Sequence, residues 1–244
     1  MAKTLLKGTK PAPMKKSSLV LFLALGFAAN AFATPIEITS LIGGAPSGTT
    51  LVNFDELALN NTTQWTNGIT VSFSGSAKAV SGSVHNQYAA PFLSGNNGLG
   101  FGPGGTDQGD GPDATTYLSA NTGSVTFKFD VEQNYLGLLW GSVDDYNTLA
   151  FYDGTGALIQ AFTGSDVTFA ANGDQGASGT FRVSFYSDVL FKTVIATSTR
   201  NSFEIDNLAF STANRVPDGG ATIALLGLTL LAIGYVRRNR MAAS

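Results

Sequence analysis

The chain has 244 residues, 43 % hydrophobic and 13 % charged, with 29 glycines, no cysteine and one histidine. That length can bury a full core in one domain or two small ones, while the missing cysteines exclude thiolate metal sites, cysteine nucleophiles and a disulfide scaffold. One histidine excludes any site built on two imidazoles, and residues 34–214 carry five basic residues against 16 acidic ones, an excess that argues against nucleic acid as a partner.

Residues 1–33 read as a secretory signal peptide. Lys3, Lys7, Lys10, Lys15 and Lys16 form a basic leader, and residues 19–29 an apolar run too short for a bilayer. Ala31, Phe32 and Ala33 then give the small-x-small pattern, so cleavage is expected after Ala33, with Thr34 the mature start. The implied partners are the Sec machinery and signal peptidase.

Residues 34–212 show no helical periodicity. Short β-rich runs recur instead at 36–41, 50–54, 69–74, 77–84, 116–119, 124–130, 135–140, 148–152, 158–162, 167–170, 180–185, 192–197 and 202–210, punctuated by Gly, Asn, Asp and Ser. Strands at such spacing predict an all-β ectodomain, a two-sheet, jelly-roll-like β-sandwich. Asp153-Gly154-Thr155-Gly156 is the clearest hairpin turn. In the last run Glu204 and Asp206 share one face, Phe203 and Ile205 the other. The single helix expected is the apolar segment near the C-terminus.

The glycine-rich stretch 95–114 predicts a long exposed loop, with neither strand nor helix. Its G-x-G-x-x-G match, residues 100–105, lacks the strand and helix that would hold a phosphate. Asp107, Asp110 and Asp113 stand three apart there, a candidate Ca²⁺ loop without the EF-hand pattern; a solvated loop is the plainer reading. A second Ca²⁺ candidate pairs Asp55, in Asn53-Phe54-Asp55 on an early strand, with Asp206 on the last, in the manner of carbohydrate-binding jelly rolls. No cofactor beyond such a structural Ca²⁺ is expected.

A third candidate is Trp140 with Asp144, Asp145, Tyr146 and Asn147. Read sharply, an aromatic platform and two carboxylates make a ligand patch for a sugar or Ca²⁺. Read plainly, Trp140 is core and the rest a polar turn capping its own backbone, and the balance favours that. His85 is the sole imidazole base and sits at a strand end, and no G-x-S-x-G elbow occurs. The chain therefore reads as no enzyme. A carboxylate-pair hydrolase ranks third, behind a carbohydrate-binding module, with or without Ca²⁺, that would anchor the cell to its own extracellular polysaccharide.

The C-terminal portion begins with a linker, residues 213–220, that contains Val216, Pro217, Asp218, Gly219 and Gly220 and is expected to be extended and accessible. Residues 221–236 are uncharged and apolar on all faces, predicting a single transmembrane helix. Arg237, Arg238 and Arg240 follow, so residues 237–244 form a basic cytoplasmic tail and everything upstream lies outside.

This order of Val-Pro-acid-Gly, apolar helix and arginine cluster resembles the PEP-CTERM sorting signal of exosortase systems, in a VPD-type variant with Asp218 where the commonest form has Glu. The resemblance implies recognition by a membrane-embedded exosortase-type transpeptidase that cleaves near Val216–Gly220, making these residues substrate. A longer stretch, about 85–210, with Trp140-Gly141-Ser142-Val143-Asp144-Asp145-Tyr146-Asn147-Thr148 at its centre, looks like a family of exosortase-dependent surface-associated proteins. Together they imply a bacterial protein held at the inner membrane, then passed to the cell surface or extracellular matrix.

Overall fold

The computed structural model describes residues 35–40, 44–93, 101 and 110–212. Strand is their dominant regular structure. The order is β1 (Ile36–Ser40), β2 (Thr50–Val52), β3 (Gln64–Thr66), β4 (Ile69–Gly75), β5 (Lys78–Ser81), β6 (Phe92–Leu93), β7 (Gly111–Pro112), β8 (Thr116–Ser119), β9 (Gly123–Gly141), β10 (Asn147–Tyr152), β11 (Leu158–Thr163), β12 (Phe181–Ser198) and β13 (Glu204–Ser211). The signal-peptide, linker, transmembrane and arginine-tail expectations all lie outside the described residues.

Two long strands organise the fold. Runs expected as separate strands at 124–130 and 135–140 are one, β9, and those at 180–185 and 192–197 are one, β12. The polar stretches between them are not turns. They are bulges: Tyr186 pairs with Tyr135, Phe191 with Gln133 and Thr193 with Lys128, so each strand carries extra residues where it bends. Either side of the bend the two strands belong to different layers. The first halves of β9 and last part of β12 pair with β4 and β10, extended by β3 and β11. Their other halves pair with β13 and β1, extended by β8, β5 and β2.

The architecture is all-β and consistent with a β-sandwich. Val125, Phe127 and Phe129 alternate inward in β9, as half-buried strands do. Phe151 and Phe162 of one layer meet Phe185 of the other at 5.1 and 5.0 Å between ring centroids, and Phe129 meets Phe210 at 5.0 Å. Such pairs add about 0.5–1.5 kcal/mol each beyond area burial. They join the layers without cysteine.

Two local expectations are corrected. The run at 167–170 is not a strand: a short helix α1 (Gly164–Val167) precedes it, because Asp166 Oδ2 accepts from the Thr163 backbone N–H at 2.7 Å and from its hydroxyl at 3.0 Å. So a helix exists outside the C-terminal apolar segment. The glycine-rich stretch is also not wholly loop, since Gly111–Pro112 pairs with Phe92–Leu93. The Asp153 hairpin is as expected. Its Oδ1 accepts from the N–H groups of Thr155 and Ala157, and Gly156 takes the left-handed φ of +87° the turn requires. Among the described residues, no helix is long and apolar enough to cross a membrane.

Candidate functional site

The outer face of the layer containing β13 is buried and polar. Phe203 and Ile205 point into the sandwich, so Glu204 and Asp206 must point away from it. They remain buried because residues 82–93 and 110–115 cover that face: the Ala89 N–H reaches Glu204 Oε1 at 3.1 Å, and Asp113 is itself buried. Arg182 on β12 joins them, fully buried, with Phe101 5.6 Å from its guanidinium.

One cavity of about 130 Å³ opens on this face, lined by Asn53, Asp55, Leu93, Asp113, Thr115, Asp206 and Asn207. Two irregularities in the backbone build it. Asp206 pairs with Leu139 and Ala209 with Gly137, so β13 carries one extra residue. That residue set includes Asn207 at φ +49°, and the bulge turns both Asp206 and Asn207 toward the cavity. After β2, Phe54 sits at φ +59°, sending its ring into the core while Asn53 and Asp55 line the cavity. Left-handed backbone at a non-glycine residue costs on the order of 1–3 kcal/mol and gathers at functional sites.

Two separate expectations thus meet in one place. Asp113, read as part of the glycine-loop triad, lies with Asp55 and Asp206, read as the first-and-last-strand pair. Asp110 lies off this cavity and donates its backbone N–H to Leu93 O at 3.1 Å; Asp107 lies outside the described residues. Asn207, Thr115, Arg182 and Glu204 were missed. The alternation of β13 gave a signal for Glu204, and a lone arginine in the apolar run Thr-Phe-Arg-Val was the signal for Arg182.

The electrostatics follow from burial. Asp206 is pushed well above the ordinary carboxylate range, first by burial and then by the charge of Asp113, with Asp55 adding to it. Three oxygens around the cavity, Asp113 Oδ2, Asp206 Oδ1 and Asn207 Oδ1, are buried and receive no hydrogen bond from a nitrogen or hydroxyl donor, while Asp113 and Asp206 share a hydrogen bond between their carboxyl groups. The remaining contacts are local: Asn53 Nδ2 donates to Asp55 Oδ2, the Thr115 hydroxyl donates to Asp113 Oδ1 at 2.6 Å, and Asn207 Nδ2 donates to Asp206 Oδ2 at 3.1 Å. Behind them Arg182 Nη1 donates to the Asn207 carbonyl. Three carboxyl groups, one of them held toward its protonated form, face the cavity with one guanidinium behind them.

Among the described residues, no three Asp, Glu, His or Cys side chains stand close enough to hold a metal ion alone. Calcium, however, accepts amide and hydroxyl oxygens alongside carboxylates. Asp206, Asp113, Asn207, Asp55 and Asn53 supply an all-oxygen set of that kind. The volume fits an ion with a few waters and falls short of the roughly 300 Å³ of a small-molecule pocket.

The Trp140 ligand patch is corrected. Trp140 is 0 % exposed and stacks on Phe203 at 4.3 Å, so it offers no platform to a sugar. Asn147 is buried as well, its Nδ2 donating to Ser202 O at 3.2 Å and its Oδ1 accepting from the Ser198 hydroxyl at 2.8 Å. Asp144 is buried, Asp145 is exposed, and the Tyr146 hydroxyl donates to Asn201 O at 3.2 Å. Burial raises the Asp144 carboxyl. Trp140 is core, as in the plainer reading, but the Tyr146 and Asn147 side chains tie the turn to residues 198–202 instead of capping their own backbone. His85 sits exposed in the turn closed by Val84 and Tyr88. A separate open cleft of about 520 Å³ lies beside the fully exposed ring of Phe169, with Phe181, Asn172 and Asp174 among its walls.

The decisive comparison concerns the other end of the chain: a family model described as the VPDSG-CTERM motif matches residues 215–240. The chain carries an exosortase-type sorting signal. In this signal Gly219 stands where the motif's description has Ser. The motif implies processing by exosortase-type machinery and an exported protein. No curated protein matches the chain in sequence. Among solved structures, a family 6 carbohydrate-binding module is 12 % identical over 67 % of this chain and 94 % of its own, with a TM-score of 0.31. A family 29 module is 11 % identical over 72 % and 93 %, at 0.27. The catalytic domain of a GH87 α-1,3-glucanase is 14 % identical over 66 % and 31 %, at 0.27. Overlaps this shallow carry no function across.

Proposed function

We propose that this chain is an exported cell-surface or extracellular-matrix protein, sorted by an exosortase-type transpeptidase and presenting a non-catalytic, jelly-roll-like β-sandwich. The match at residues 215–240 carries the reading. The signal peptide is removed after Ala33. Residues 221–236 then hold the chain in the inner membrane, with Arg237, Arg238 and Arg240 inside, while Val216, Pro217 and Asp218 are presented outside as substrate. The test is fractionation of the full chain in a host with an exosortase, beside a Pro217→Ala, Asp218→Ala variant. The native chain is expected in the surface and medium fractions and the variant in the membrane. Identical distributions would contradict sorting through this motif.

The role of the domain rests on the cavity at Asp206. The buried side-chain oxygens of Asp113, Asp206 and Asn207, gathered at one small cavity, support a bound Ca²⁺ that ties β13 to the segments after β2 and β7. A domain without disulfides gains its cross-link from the ion instead. The polysaccharide-binding alternative would use the Phe169 cleft, since the Asp206 cavity is too small for a sugar chain.

A further inference from the structure

We infer that one end of the sandwich is a membrane-docking surface, which lies against a zwitterionic lipid bilayer while the chain is anchored. The inference rests on the reading of residues 221–236 as a membrane span. The end in question is the bend shared by β9 and β12. Five of the nine large, exposed hydrophobic side chains among the described residues are spread along it: Val131, Val189 and Leu190 on the bend itself, Trp65 on the β3 side and Leu158 on the β11 side. Val131 and the pair Val189 and Leu190 are carried outward by the two bulges, at 63, 44 and 47 % exposure. Trp65, 66 % exposed, lies beside them with its indole N–H 3.5 Å from Asp130 Oδ2. Leu158 closes the hairpin whose Gly154 borders Glu132.

The chain leaves the domain at this same end. Ser211, the last residue of β13, pairs with Tyr135, two residues from Gln133 at the bend. From Thr212 only eight residues, 213–220, precede the apolar run at 221. Eight residues reach at most about 29 Å, so the bend end is held near the bilayer at an effective concentration in the millimolar range. Weak contacts are well populated at that concentration. A tryptophan with its indole N–H on a polar partner, surrounded by aliphatic side chains, is suited to the headgroup boundary. The bend also carries Asp130, Glu132, Asp153 and Asp188 against Lys128 and Lys192. That acidic balance selects zwitterionic over anionic lipid.

Trp65 reports on this directly, because the chain has two tryptophans and Trp140 is fully buried. The full chain is reconstituted into phosphatidylcholine vesicles with and without brominated acyl chains. Flotation first shows whether the chain is anchored; failure to float would overturn the membrane span, and the docking surface with it. With anchoring shown, brominated lipid is expected to quench Trp65 emission. The quenching is expected to disappear in Trp65→Phe and in Val131→Asp, Leu190→Asp, both still floating, and to weaken when phosphatidylglycerol is added. A floating native chain whose Trp65 is not quenched would overturn the docking surface and leave the span standing. Trp65 protected from an aqueous quencher yet blind to brominated lipid would assign the patch to a second copy, and would equally overturn it.

Discussion

Glu204→Gln is expected to stabilise the domain by about 3 kcal/mol at pH 7 and by nothing below about pH 4.5, with unfolding followed in the presence of a chelator. Burial dominates the environment of Glu204 and pushes its carboxyl from 4.5 up to about 7, against the opposing hydrogen bonds from Ala89, Ser142 and Ser202. The folded chain therefore keeps a proton that the unfolded chain releases as pH rises above about 4.5. Stability falls across that window and levels off once the folded carboxyl has also ionised. Glutamine keeps an acceptor for the Ala89 N–H and carries no charge to desolvate, so the variant lacks this slope. Tyr117 and Tyr146 are titrating neighbours that feel the Glu204 charge, and both hydroxyls, raised first by burial, stay protonated throughout. For a domain of this size about 3 kcal/mol corresponds to roughly 6–12 °C in Tm. Parallel pH profiles for the two proteins would show that Glu204 is not held protonated by burial.

The second large effect is expected from Ca²⁺. With free ion at about 100 times Kd, a single native-state site stabilises by about 2.7 kcal/mol, or roughly 5–11 °C in Tm. Asp206→Asn is expected to abolish the shift while melting no lower than the native chain without ion, because Asn removes a buried carboxylate that Asp113 and Asp55 disfavour. The pH dependence has a definite sign. Asp206 is raised, so Ca²⁺ must displace a proton to use it, and the shift grows as pH rises. An equal shift in Asp206→Asn, or no shift in the native chain at any pH, would contradict a Ca²⁺ site at this cavity.

Much of the fold was legible because inward and outward residues alternate so regularly. The run 116–119 is a strand with the expected bounds, and the facing of Glu204 and Asp206 away from Phe203 and Ile205 is as the alternation dictates. What the pattern hid was continuity. Asp-Val-Glu-Gln-Asn and Ser-Asp-Val-Leu look like turns, yet in β9 and β12 they are bulges that carry the chain around a bend without breaking the ladder. Local polarity cannot separate the two, since both expose charge.

The site was half legible for a related reason. Carboxyl groups at Asp55, Asp113 and Asp206 were all picked out, but Asp113 in a different group from the Asp55 and Asp206 pair. Asp113 joins the other two through the pairing of β6 with β7 and the return of the chain into β8, a long-range event with no sequence motif. Asn207 faces the cavity only because of the β13 bulge, which one extra residue creates. Trp140, conversely, looked available for stacking beside two aspartates and is the largest of the fully buried side chains. An aromatic residue preceding a polar turn is more often the last rung of a core strand than a platform.

The central claim is that this chain is exported and sorted through residues 215–240, and intact mass tests it most directly. Native protein from the extracellular and membrane fractions is measured without prior digestion. The account predicts a released species that begins at Thr34 and ends near Val216–Gly220, so that the apolar run and arginines remain behind. A single species in the membrane fraction that retains Arg237, Arg238 and Arg240 would contradict it, leaving a permanently anchored ectodomain.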